Sequence, residues 1–91
     1  MYDVIWGDVT NVVDGDTFDL RVTHHGTHNK FPYNNQERIR IASIDAPVLP
    51  TAPGVRAKHQ LELAISGKRV KCEVHSRDTY HRLICGVSKA N

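Results

Sequence analysis

Apolar and polar residues change places one by one along most of this chain. Phe18, Leu20 and Val22 alternate with Asp19, Arg21 and Thr23, and Val70, Cys72 and Val74 alternate with Lys71, Glu73 and His75. Side chains two apart share a face of a strand, so each run makes a strand with one wet and one dry face. The first segment, Tyr2 to Val13, is rich in β-branched and aromatic residues and reads as a strand bulged at Gly7. Arg38 to Ile44 is a third strand, stopped at Asp45-Ala46-Pro47 because proline cannot donate to a ladder. Leu83 to Val87 is a fifth. The period changes only once, from Gly54 to Ser66. There Ala57, Leu61, Ala64 and Ile65 fall on one helical face, with Arg56, Lys58, Gln60 and Glu62 away from it. Gly67 is placed to stop that helix.

Three strands, one helix and two strands is the order of a five-stranded OB-fold barrel, mainly β with a single helix plugging one end. Closure also hides the sheet edges that so small a β-domain could not otherwise protect. A length of 91 residues gives one such domain, 1–91, and leaves no room for a second core. The connections are a turn at Asp14-Gly15-Asp16, a long polar loop over 24–36 and a shorter loop from Ser76 to His81. No apolar run approaches membrane-spanning length, and Met1-Tyr2-Asp3 lacks the basic start of a secretory signal. The chain therefore reads as a soluble domain with no membrane partner, whether whole or cut from a longer protein.

Charge is unevenly spread. Residues 1–20 carry five Asp and no Lys or Arg, whereas residues 56–91 carry eight Lys or Arg against three acidic residues. Two arrangements fit: a cation site beside a polyanion-binding face, or pairing between the halves. Two cysteines are too few for a disulfide framework. Cys72 and Cys85 are expected to be buried thiols, and cross-strand neighbours if the hairpin register sets 72 against 85. His24, His25 and His28 read as a polar loop tip, since no Cys or carboxylate pattern completes a metal site around them.

The Asp-Gly of the first turn is by itself an ordinary hairpin signal. It gains meaning from three other strand ends. Asp45 closes the third strand, Arg40 lies five residues before it, and Arg82 opens the fifth strand two residues after Tyr80. Asp oxygens suit a hard cation, and a guanidinium fork grips a phosphate in two places. Gathered at one mouth of a barrel, such groups would stabilise the extra charge of a five-coordinate phosphorus.

In this order and spacing, "VVDGDTFDL", "RIRIASIDAP", the helix ending at Gly67 and "DTYHRLICGV" resemble the staphylococcal nuclease-like (thermonuclease) domain, from about residue 8 to 87. The resemblance implies a calcium-dependent nuclease acting on DNA and RNA, expected to take single strands and to work as a monomer. By position it makes Asp16 and Asp45 calcium ligands, with the Ala46 carbonyl as a further one, and gives Asp14 the support of the turn. It places Arg40 and Arg82 on the scissile phosphate and Tyr80 near the substrate.

Three departures qualify this. The family typically reads Asp-x-Pro-Glu, with the glutamate as proposed general base, and here that position is Val48. Valine accepts no proton, and general-base help is worth about 10²–10⁴-fold in rate. The family's Tyr-Gly-Arg turn is here Tyr80-His81-Arg82, so a positive φ at that site would strain His81 and shift Arg82. The family also continues past the fifth strand into further helices. A non-catalytic OB-fold module that binds nucleic acid is the alternative. It would use Tyr80, Phe31 and Tyr33 as stacking rings and Lys30, Arg56, Lys58, Lys68 and Lys71 as cations. A protein-interaction role for the long loop is a third.

Overall fold

A computed structural model describes residues 1–90. Strand β1 (Asp3–Asp14) is long enough to serve both edges of the sheet, pairing antiparallel with β2 (Thr17–His25) and with β4 (Arg69–Arg77). Between them run β3 (Gln36–Ile41) and β5 (Leu83–Lys89), which are parallel to each other. The five close into a barrel in the order β1-β2-β3-β5-β4. Register shifts in β1 at Trp6/Gly7, Val9/Asn11 and Val12/Asp14 give it the curl that closure needs. The bulge expected at Gly7 is the first of these. Mainly β with one helix between the third and fourth strands, the architecture is the one the alternation predicts.

The inward residues of every strand meet inside. Ile5, Val9, Val12, Phe18, Leu20, Ile39, Ile41, Val70, Cys72, Val74, Leu83 and Cys85 form the buried cluster, and Ile65 enters it from helix α1 (Ala52–Ile65). Leu61 and Ala64 pack partly against the same cluster, along the helical face read from the sequence. Thr51 caps the helix by accepting the Gly54 N–H, and a proline occupies its first turn. Gly67 ends it at φ 71°, and the Gly67 N–H donates to Val9 O at 3.1 Å, which pins the helix end to β1.

Several boundaries differ from expectation. Strand β3 stops at Ile41, not Ile44, because its partner runs out. Thr17, the first residue of β2, opposes Arg40, and the Ile41 N–H already reaches into the turn to Asp16 O. The polar loop is shorter than 24–36, since His24 and His25 pair with Trp6 and Ile5, leaving 26–35. Strand β4 runs on to Arg77 across a bulge at Val74/Ser76, so the following turn spans only 78–82. Cys72 and Cys85 are both buried, free thiols, but Cys72 opposes Val87 and Cys85 opposes Val74. They are diagonal neighbours, and the contact with Cys72, with burial, pushes the Cys85 thiol far above its usual range.

Candidate active site

The β1–β2 turn begins the site. Asp14 Oδ1 accepts the Asp16 N–H at 3.1 Å, a side-chain brace two residues on that fixes the turn. Gly15 at its tip is buried under the loop and the helix. A Cβ there would come within 2.7 Å of the Cβ atoms of both Ala46 and Ala57. The turn is therefore packed against the segment after Asp45 and against α1.

Asp16 sits in that contact, 8% exposed. Its Oδ1 accepts the Thr17 hydroxyl at 2.9 Å, and its Oδ2 accepts the Ala46 N–H at 3.2 Å. Arg40, on β3 opposite Thr17, brings Nη2 to 3.7 Å from Asp16 Oδ2 and 3.6 Å from Asp45 Oδ1. One guanidinium nitrogen thus faces both carboxylates. The Asp45 side chain is 99% exposed, so this is an open surface with one buried wall. Burial disfavours the charged form of Asp16, but hydrogen bonds to Asp14, Thr17 and the Ala46 N–H, together with Arg40, outweigh it. They hold its carboxyl below the usual value. Asp14 is shifted upward, first by burial and then by the neighbouring Asp16 carboxyl.

Arg82 belongs to the same outer face. Arg82 immediately precedes β5, in which Leu83 opposes Ile39 and Ile84 opposes Arg40. It is held by Asp78, whose Oδ2 accepts Nε at 2.7 Å while Oδ1 accepts the N–H groups of Tyr80 and Arg82. Tyr80 is exposed, with the Arg82 Cζ 5.5 Å from its ring centre. His81 has φ 65°, the left-handed conformation that glycine adopts without a steric cost. Arg77 ties this turn down, donating to His81 O at 2.8 Å and, with both terminal nitrogens, to buried Glu37.

Asp16, Asp45, Arg40 and Asp14 are gathered, with Ala46 facing Asp16 through its N–H. Among the described residues Arg82 pairs with Asp78 and not with Asp16 or Asp45, and the exposed Tyr80 ring lies beside it. Val48 is 72% exposed in the loop before the helix. Tyr33 is not a free stacking ring, because its hydroxyl donates to Asp3 Oδ2 at 2.6 Å. Sequence reading passed over Asp78 as a holder of Arg82. Its spacing, four residues before the arginine, was the available signal.

The chain is similar to fungal proteins named probable endonucleases. A protein of Aspergillus terreus named probable endonuclease lcl3 is 35% identical over 103 residues, covering 91% of this chain and 35% of the relative. Proteins of the same name in Arthroderma otae and Verticillium alfalfae are 35% and 34% identical, covering 91% and 90% of this chain and 36% and 35% of theirs. The chain spans about a third of the length of these relatives. No family model matches it.

Proposed function

We propose that this chain is a staphylococcal nuclease-like domain. In this reading it holds a nucleic-acid phosphodiester with Arg40 and Arg82, binds Ca²⁺ at Asp16 and Asp45, and hydrolyses DNA or RNA slowly because Val48 stands at the general-base position. The observation that carries the reading is the Arg40 guanidinium facing both carboxylates on an open surface. Such a surface admits a polymer, and the likeness to proteins named probable endonucleases supports the same substrate class.

The donors are all oxygen, which suits calcium, but they are few. Among the described residues no three His, Cys, Asp or Glu side chains gather as a metal site. Asp16 and Asp45 would therefore share the ion with the Ala46 carbonyl and water. When bound, Ca²⁺ would stabilise negative charge on a phosphate oxygen and make a coordinated water more acidic. The chain's own part is positioning. Asp14 braces the turn, Thr17 and the Ala46 N–H orient the Asp16 carboxylate, and Asp78 grips Arg82 at Nε, leaving its terminal nitrogens to face a phosphate.

The exposed Val48 favours a second reading, a non-catalytic module that binds nucleic acid by the same surface. Cleavage of single-stranded DNA by highly purified protein separates the two. Slow, Ca²⁺-dependent cleavage that is lost with EDTA and falls at least tenfold in Asp16→Ala supports the nuclease. Binding with cleavage no faster than the Asp16→Ala background supports the module.

A further inference from the structure

A second cationic surface lies at the end of β1 remote from Asp14. Trp6 there opposes Lys71 on β4 and His24 on β2, and its ring meets that of His24 edge-on at 5.0 Å. Arg69 follows two residues before Lys71 on the same strand, and the Ala90 N–H donates to Arg69 O at 3.0 Å, bringing the end of β5 alongside. Trp6, His24, Arg69, Lys71, Lys89 and Ala90 line a groove of about 460 Å³.

Among the described residues no carboxylate lines it. Asp8, opposite Arg69, turns to Arg21 at 2.6 Å, and Glu73 lies beyond Lys71 along β4. Among the described residues Arg69, Lys71 and Lys89 make no ion pair, whereas Arg21, Arg38, Arg40, Arg77 and Arg82 each do. Three uncompensated cations around an indole are the complement of a polyanion that carries flat rings.

We propose that this groove binds a single strand of nucleic acid, with Arg69, Lys71 and Lys89 on phosphates and a base stacked on Trp6. Same-face residues of a strand are about 6.6 Å apart, on the scale of neighbouring phosphates in an extended single strand. A lipid surface fits less well, because docking into a bilayer needs protruding apolar side chains. The exposed large ones, such as Phe31, Val48 and Leu63, lie outside the groove, and Trp6 itself is half-buried. The groove is a holding site separate from Asp16 and Arg40, and it does not depend on cleavage.

Trp6 is the single tryptophan of the chain and so reports on the groove alone. Titration of oligo(dT) in EDTA is expected to quench its emission saturably. The logarithm of affinity should fall with the logarithm of salt at a slope of about −2, from three contacts of about 0.7 each. Lys71→Ala and Lys89→Ala should each lower that slope by about 0.7, with circular dichroism confirming the fold. Trp6→Leu, followed by anisotropy of labelled oligo(dT), should bind about tenfold more weakly. A quench absent at low salt, or one indifferent to the Lys71→Ala/Lys89→Ala double variant, would overturn the proposal. So would a blue shift with phosphatidylserine vesicles and no response to oligo(dT), which would assign the groove to a lipid surface.

Discussion

His81 holds a conformation that suits glycine, at φ 65°, and its carbonyl is the one Arg77 grips. A left-handed residue with a Cβ costs about 1–2 kcal/mol, partly offset by the greater chain entropy that glycine loses on folding. His81→Gly is therefore expected to raise stability by up to about 1 kcal/mol in thermal melts and to keep Arg82 in place. A lower melting temperature would show that the imidazole contributes something the backbone does not. Tyr80-His81-Arg82 shows a histidine where the family has glycine, so strain there was legible on condition of a positive φ, which the structure has. The grip of Asp78 was legible only in part. The spacing of four residues allows the ion pair with Arg82, but which N–H groups the carboxylate accepts depends on the dihedrals of four residues at once.

At the level of elements, the site depends on how closely the β1–β2 turn approaches the helix. Gly15 lies between Ala46 and Ala57 with no room for a methyl group. Gly15→Ala should cost about 1–3 kcal/mol by overpacking and should lift Asp16 away from the Ala46 N–H. Denaturant unfolding would measure the loss, and Ala57→Gly in the same chain should recover part of it. An unchanged midpoint for Gly15→Ala would mean that the turn is not clamped. Strands and helix were legible because alternation and helical period are properties of each segment alone. Their ends were not, because Ile41 stops and Arg77 continues according to what the neighbouring strand offers. The register of the two thiols is set the same way, since the turn at 78–82 puts Cys72 against Val87 and Cys85 against Val74.

Across the whole molecule, the acidic first segment is neutralised locally, Asp8 by Arg21, Asp19 by Arg38 and Asp16 by Arg40. Among the described residues no carboxylate of 1–20 pairs with a cation of 56–91, so pairing between the halves does not account for the charge asymmetry. These contacts make the fold sensitive to acid. Asp3 is held below its ordinary value of 3.8 first by the Tyr33 hydroxyl, and Asp19 first by Arg38. Burial opposes ionisation of Asp78 and Asp16, but their hydrogen bonds prevail. A carboxyl lowered on folding contributes stability above its unfolded value and gives it up as pH falls through the folded one. Asp14, shifted upward, works in the opposite sense. Stability in urea should therefore decline as pH drops below 3.8, and Asp3→Asn should flatten the decline. Constant stability across that window would contradict these contacts. The central claim is that the surface around Asp16, Arg40 and Asp45 does phosphodiester chemistry and lacks only a base. Its most direct test is the single-turnover cleavage rate of Val48→Glu beside the parent chain, in Ca²⁺ and on single-stranded DNA. The account predicts a rise toward the ~10²–10⁴-fold that general-base help supplies, abolished by adding Asp16→Ala. A correctly folded Val48→Glu protein that cuts no faster than its parent would contradict it.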